Sequence, residues 1–291
     1  MTSARELADR FKLHIVRAGR EWRGDCPACG YSGSFVLTQK AGRALLWCAS
    51  CQDRDAFGTL LRGGSVSSRS APLYDEPDRA TVGQEAATRG VLALALWKRA
   101  APCAGTPAAV YLAARGMPSL PSSPALRFNP NTHVMGGGTL PALVALVSEV
   151  SGNPVAVHRT FLRPDGTGKA DVEPNKASLG PIWRGAIRLY PIAEEIVIGE
   201  GIETSAAAGI LLGLPSWASI SAGNLARALT LPPEVRRVVI AADHDAPGRL
   251  AAKEAALRWR AEGRAVRIAL PDRPGDDFAD VLIARGGAHH A

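Results

Sequence analysis

Apolar and polar positions follow two different rhythms along this chain, and the change comes near residue 194. Beyond it, short apolar runs (EIVIGE, SWASIS, RRVVIAAD, AVRIAL) take turns with helix-period stretches (TSAAAGILLG, AGNLARALT, PGRLAAKEAALRWRAEG). Strands that alternate with helices imply a parallel sheet with helical crossovers. The longest of these helices has Pro247 at its start and Gly263 beyond its end, as helix boundaries prefer. Upstream, residues 1–15 predict a short helix with Leu7, Phe11 and Leu13 on or near one side. GSFVLTQKAGRALLWC reads as two strands around a Lys40-Ala41-Gly42-Arg43 turn. Residues 86–117 predict helix with a Pro/Gly break, and residues 118–138 a loop rich in Pro and Gly. PALVALVSEV and PVAVHRTFL form two strands joined at Ser151-Gly152-Asn153, and IRLYPI adds another. Residues 63–85 are poor in large apolar side chains and rich in Gly, Ser, Pro and charge, so they read as a linker. The predicted fold class is α/β in three units: a cysteine-bearing β unit over 1–62, a basic α+β unit over 86–190, and a parallel sheet flanked by helices over 191–291.

Composition changes this picture little. The chain has 291 residues, 46% of them apolar and 21% charged, and its mean hydropathy is +0.01, values of a globular protein rather than a disordered one. No run of eighteen apolar residues exists, so no membrane span is expected. The first residues are charged and lack an apolar signal core, which makes the cytoplasm the expected compartment. Charge is more informative in its distribution than in its total of +7. Residues 1–62 carry +4, residues 63–190 carry +5 and residues 191–291 carry −2. A cation-binding site beside a polyanion-binding surface has this profile.

Four of the five cysteines form two Cys-x-x-Cys pairs, Cys26/Cys29 and Cys48/Cys51, eighteen residues apart. Two such knuckles direct four thiolates at one point and close a tetrahedron around Zn²⁺, leaving no open position. The zinc is therefore structural, and in so small a unit it supplies much of the folding free energy. A redox role would need only one pair, at the start of a helix in a thioredoxin-like unit. Cys103 reads as an inert reduced thiol. Arg23, Lys40 and Arg43 are candidates for contact with the phosphates of an unpaired nucleic-acid strand, while Phe35 and Trp47 either fill the small core or stack on bases.

Two of the apolar strands in the last third end in acid: Glu200 after VIG, and Asp243 with Asp245 after VVIAA. In a parallel sheet the carboxyl ends of strands open on one side, so the three acids are expected in one crevice. Carboxylate oxygens suit Mg²⁺, which takes one or two of them plus waters and phosphate oxygens. Asp276, Asp277 and Asp280 follow the last strand; Asp277 either contributes to the site or caps the next helix. Gly248, in the first turn of a helix, offers a backbone approach to phosphate.

GEG-x-E before a small-residue helix, then D-x-D-x-x-G, then GDDF-x-DVL, resembles a Toprim domain. With the cysteine-rich amino terminus, nearly the whole chain resembles the Toprim primases of phages, plasmids and mobile elements. The resemblance implies a zinc ribbon that holds template, and a catalytic domain in which Glu200, Asp243 and Asp245 manage Mg²⁺ or Mn²⁺, with Asp276 or Asp277 nearby. Glu203 and Thr204 stand where the replicative bacterial primase has a turn ending in Asp, so Glu203 either replaces a second-metal ligand or caps its helix. The resemblance also implies that basic residues ahead of the Toprim segment, Arg159, Lys169 and Lys176 among them, meet phosphates of template, primer and incoming nucleotide. His158 alone reads as structural. DGTGK is no phosphate loop, because Arg163 and Ala170 occupy the positions that need Gly and Ser/Thr. With no ATPase motif, the implied helicase is a separate chain. The implied activity is synthesis of short RNA primers on single-stranded DNA from nucleoside triphosphates. The alternatives are a Toprim nuclease, a topoisomerase fragment and a single-stranded-DNA-binding adaptor without chemistry.

Overall fold

The computed structural model describes residues 4–17, 21–26, 35–40, 43–48, 79–134 and 137–288. It divides into two compact units, Met1–Asp78 and Arg79–Ala291. The first holds a helix, α1 (Ala4–Arg10), and four strands in sequential antiparallel order: β1 (His14–Arg17), β2 (Glu21–Gly24), β3 (Phe35–Lys40) and β4 (Arg43–Cys48). The β3–β4 pair runs in register from Phe35↔Cys48 to Lys40↔Arg43, around the expected turn. The amino-terminal helix is shorter than its pattern predicts: His14 and Ile15 are in β1, because pairing with Arg23 and Trp22 takes their backbone groups. Leu7, Leu13, Trp22, Phe35 and Leu37 make the core, and Phe11 meets Phe35 edge-on at 5.5 Å. Phe35 is therefore a core residue, whereas Trp47 is 43% exposed on β4, next to exposed Leu45 one pleat away.

The second unit begins with α2 (Arg79–Arg99), which starts inside the segment read as a linker. A five-stranded antiparallel sheet follows, in spatial order β5 (Ala101–Pro102), β6 (Leu126–His133), β7 (Thr139–Ser148), β8 (Pro154–Phe161), β9 (Lys176–Leu179), with α3 (Pro107–Ala114) between β5 and β6. β6 lies within the stretch predicted as loop. Pro130 and two asparagines obscured it, but β5 pairs only with Phe128 and Arg127, so Pro130 lies where β6 has a free side. A register shift between Asn129 and Thr132 absorbs the proline, and the Asn129 carboxamide accepts from the Asn131 N–H at 2.9 Å. Along β7 the faces alternate: Ala142 and Val144 pack under α2, while Leu143, Ala145 and Val147 face the opposite way.

That opposite face is shared with the last third of the chain. There, β10 (Ile187–Arg188), β11 (Glu195–Gly199), β12 (Ser216–Ala218), β13 (Arg237–Ala241) and β14 (Ala265–Ala269) form a sheet of order β10-β12-β11-β13-β14. The last four strands are parallel as predicted; β10, only two residues of the IRLYPI run, is an antiparallel edge. Crossovers put α4 (Ile202–Leu212) and α7 (Phe278–Ala288) on one face, α5 (Ala222–Arg227) and α6 (Ala246–Ala261) on the other. Ile196, Ile198, Val238 and Ile240 point to the α5–α6 side with Trp259, while Val197 and Val239 point to α4 and α7. On this second side one core holds Tyr111, Leu112, Leu143 and Val147 together with Ile202, Ala206 and Phe278, so residues 79–190 and 191–288 bury apolar surface against each other. A two-way bridge, Ser148 N–H to Ala186 O and back at 2.9 Å each, adds backbone continuity. Among the described residues no helix is long and apolar enough to cross a membrane.

Candidate active site

The register Gly199↔Ala241 ends β11 and β13 side by side, so Glu200 and Asp243 leave the sheet as neighbours. Gly199 must be glycine: a Cβ there would come within 2.7 Å of the Ser205 Oγ and 3.3 Å of the Ala241 carbonyl. Burial, and then the negative charge of Asp243 and more weakly Asp245, push the Glu200 carboxyl up to about 8; Lys176 and the Ala222 N–H pull the other way. Asp243 is also raised, first by burial, although the Thr204 hydroxyl donates to its Oδ1 at 3.3 Å. Glu200 and Asp243, each raised by burial and by neighbouring acids, are a donor set that a cation would stabilise. Both are hard oxygen donors, which fits Mg²⁺ or Mn²⁺.

Asp245 departs from the expected arrangement. It is the N-cap of α6, and its Oδ1 accepts from the Gly248 N–H at 2.7 Å. The Gly248 amide expected to meet phosphate is thereby occupied, and a Cβ on Gly248 would lie 2.8 Å from the Asp243 carbonyl, so the glycine serves close packing. Among the described residues no group of three or more His, Cys, Asp or Glu side chains is gathered closely enough to hold a metal ion by itself.

Asp277 and Asp280 cap α7 reciprocally: the Asp280 N–H donates to Asp277 Oδ1 at 2.9 Å and the Asp277 N–H to Asp280 Oδ2 at 3.2 Å. Asp277 also pairs with Arg115 at 3.4 Å, while its charge reaches Asp243. Asp276 lies half-buried beside it. His244, between the two site aspartates, has Nδ1 2.8 Å from the Pro271 carbonyl, and the Gly275 N–H donates to the His244 carbonyl at 3.3 Å. These bonds tie the loop that carries Asp276 and Asp277 to the D-x-D strand end.

Residues 195–288 match the family described as the Toprim domain. This segment is a Toprim domain. Residues 87–189 match a family described as a domain of unknown function (DUF7146). No curated protein matches the chain in sequence. Among solved structures, the fold is similar to the zinc-binding and RNA polymerase domains of the Aquifex aeolicus primase, at 13% identity and a TM-score of 0.49, over 99% of this chain and 81% of that one. It is similar to a DNA primase domain from Pseudomonas aeruginosa at 18% identity and 0.37, over 53% and 52%. The DnaG catalytic core is matched at 17% and 0.38, over 49% and 48%, so the match spans about half the length of the last two chains. At such identities and scores these likenesses carry no functional argument.

Facing the Toprim acids is a basic group from the preceding segment. Lys169 follows the turn after β8, and Lys176 opens β9; their Nζ atoms lie 3.2 Å and 3.8 Å from the two oxygens of buried Glu203. Arg159 lies elsewhere in role: its guanidinium donates to the carbonyls of Ala177, His133 and Ser178 at 3.2–3.4 Å and ties the sheet together. His158 Nδ1 is 3.0 Å from the Ser178 hydroxyl, and burial lowers its pKa. The Arg188 guanidinium lies over the Trp217 ring and donates to the carbonyls of Glu149 and Val150. Cys103 is fully buried and its thiol is pushed up to about 12, an inert group as expected.

In the first unit Cys26 is buried. Cys29 and Cys51, and the side chains of Cys48, Lys40 and Arg43, lie outside the described residues. Arg23 pairs with Glu21 at 3.2 Å. Pattern reading passed over Tyr111, whose hydroxyl reaches Glu203, as well as Arg115 and His244. Tyr111 looks like one more apolar position in PAAVYLAA; only its partner, 92 residues away, distinguishes it.

Proposed function

We propose that this chain is a DNA primase of the phage, plasmid or mobile-element type, which builds short RNA primers on single-stranded DNA. The observation that carries this reading is the pairing of Glu200 and Asp243, at adjacent parallel strand ends, with two lysines gathered at Glu203. An acidic crevice beside fixed cations suits joining a 3′-hydroxyl to an α-phosphate, where charge develops on phosphate oxygens.

Glu200 and Asp243, with Asp245 beside them, would hold a divalent cation, Mg²⁺ or Mn²⁺. When bound, that ion lowers the pKa of the attacking hydroxyl and neutralises the leaving pyrophosphate. Lys169 and Lys176 orient the triphosphate and offset its charge. Asp276 and Asp277 lie at the rim. The amino-terminal unit is a zinc ribbon in which Cys26, Cys29, Cys48 and Cys51 hold Zn²⁺. Trp47, exposed beside Leu45, stacks on template bases, and Arg23, Lys40 and Arg43 offset its phosphates. A separately encoded helicase supplies unwound template, and the setting is cytoplasmic.

The test is incubation with mixed-sequence single-stranded DNA, four labelled ribonucleotides and Mg²⁺ or Mn²⁺. Short RNA from wild type and none from Asp243→Ala is expected. Shortened template would point to a nuclease, and template bound but unchanged, to an adaptor.

A further inference from the structure

Glu203 is the residue for which the motif leaves two readings, and its surroundings support neither. It lies in the first turn of α4 and is 6% exposed. Its Oε1 accepts from the Tyr111 hydroxyl at 2.5 Å and lies 3.2 Å from Lys169 Nζ; its Oε2 lies 3.8 Å from Lys176 Nζ. The N-cap of α4 is Gly201; Glu203, two residues on, accepts from its own backbone N–H and does not occupy the cap position. Oε1 serves two protein partners and an ammonium stands 3.8 Å from Oε2, so a metal cation at Glu203 would have to compete with two fixed positive charges. Its carboxyl stands far below the usual range: Lys176, Lys169 and the Tyr111 hydroxyl together outweigh the burial that opposes them.

All three partners come from residues 87–189, and Glu203 comes from the Toprim domain. A carboxylate is costly to bury unless cations and donors surround it, and here they come from α3, the loop after β8, and β9. Each lysine keeps its side chain about a third exposed, at 31% and 33%. An ammonium has three donors; Lys169 lies 3.2 Å from Glu203 and Lys176 at an ion-pair distance of 3.8 Å, so both amines keep donors for a ligand. A free lysine side chain carries ~2 kcal/mol of rotamer entropy. Tethering both amines in advance reduces what a ligand must order, and their like charges tolerate proximity only because the carboxylate lies between them.

We propose that Tyr111 and Glu203 form a clamp that positions Lys169 and Lys176 to receive the phosphates of a nucleoside triphosphate, and that Glu203 is not a metal ligand. This rests on the primase reading of the crevice. Tyr111 and Glu203 are positioning residues; they act through the lysines.

The test uses the full chain with two direct binding measurements: Mn²⁺ by electron paramagnetic resonance, and a fluorescent ATP analogue by anisotropy. Tyr111→Phe, which keeps the ring and its packing, is expected to weaken nucleotide binding three- to tenfold while Mn²⁺ affinity stays within twofold. Glu203→Gln is expected to do the same to a larger degree, and Glu203→Asp to recover part of the loss. Because Tyr111 acts through Glu203, adding Tyr111→Phe to Glu203→Gln should weaken binding no further than Glu203→Gln alone. The clamp is overturned if folded Tyr111→Phe and Glu203→Gln bind nucleotide like wild type, if the double variant loses the product of the single effects, or if Glu203→Gln loses Mn²⁺ tenfold. Wild type that neither binds nucleotide nor makes primer would overturn the primase reading itself, and the clamp with it.

Discussion

Asp245 carries two demands on one carboxylate: it caps α6 through Gly248 and lies beside Asp243 at the crevice. The two separate by substitution. Asp245→Asn retains an acceptor for the cap and should keep thermal stability near wild type while weakening Mn²⁺ binding. Asp245→Ala should lose cation binding and also ~1 kcal/mol of stability, the usual worth of an N-cap, read in urea unfolding. His158 gives a pH prediction. Burial lowers its folded pKa, so the unfolded chain takes up a proton first as pH falls below its ordinary value of about 6.5. Its contribution is complete above that pH and is lost below it. Glu203, held low, adds a contribution present above the ordinary glutamate value of about 4.3 and lost further into acid. Glu200, raised to about 8, acts with the opposite sign over the same window, because there the folded chain holds its proton and the unfolded chain does not. The His158 contribution is therefore read as a difference: the margin in melting temperature of wild type over His158→Gln should shrink from pH 7 to pH 5, and a margin constant across this window would contradict the assignment. At this scale the sequence makes the acids legible because they end apolar strands. It hides their partners, since nothing local marks Tyr111 as the donor to Glu203 or Asn224 as the buried residue that bonds Gly185, Ser219 and Arg184.

Among the elements, α6 has the most readable signals: Asp245 and Pro247 at its start, Gly263 in the left-handed region after its end, and an alanine-rich face closed by Trp259. Trp259 is fully buried between α6 and the Toprim sheet, and Trp259→Ala should cost ~3–5 kcal/mol in chemical denaturation. The parallel strands were legible for the same reason, because continuous apolar runs of this length leave no polar face. β6 was not. Its proline and asparagines are loop residues by type, and what makes them a strand is tertiary: a neighbour too short to need the Pro130 N–H, and the Asn129 carboxamide serving Asn131. β10 illustrates the converse, six strand-like residues of which two pair, at an edge where only β12 offers a partner.

At the scale of the molecule, composition suggests a border near residue 190, whereas residues 79–288 share a core from Leu112 and Leu143 to Ile202 and Phe278. Charge and periodicity report what each segment is, and they do not report which face it buries. A fragment spanning 79–291 should melt in one transition by calorimetry, and a fragment ending at 190 should expose the face of Leu143 and Val147 and aggregate. Separate transitions from the two halves of 79–291 would contradict a common core. The candidate crevice also spans that border, with carboxylates on one side and lysines on the other, so the proposed chemistry would need both parts. The most direct measurement is incorporation of γ-labelled ribonucleoside triphosphate on single-stranded DNA without primer. Chains begun de novo keep the 5′-triphosphate, so the account predicts labelled oligonucleotides of a few residues from wild type and none from Asp243→Ala. Unlabelled template with no oligonucleotide, from either protein and with helicase present, would contradict it.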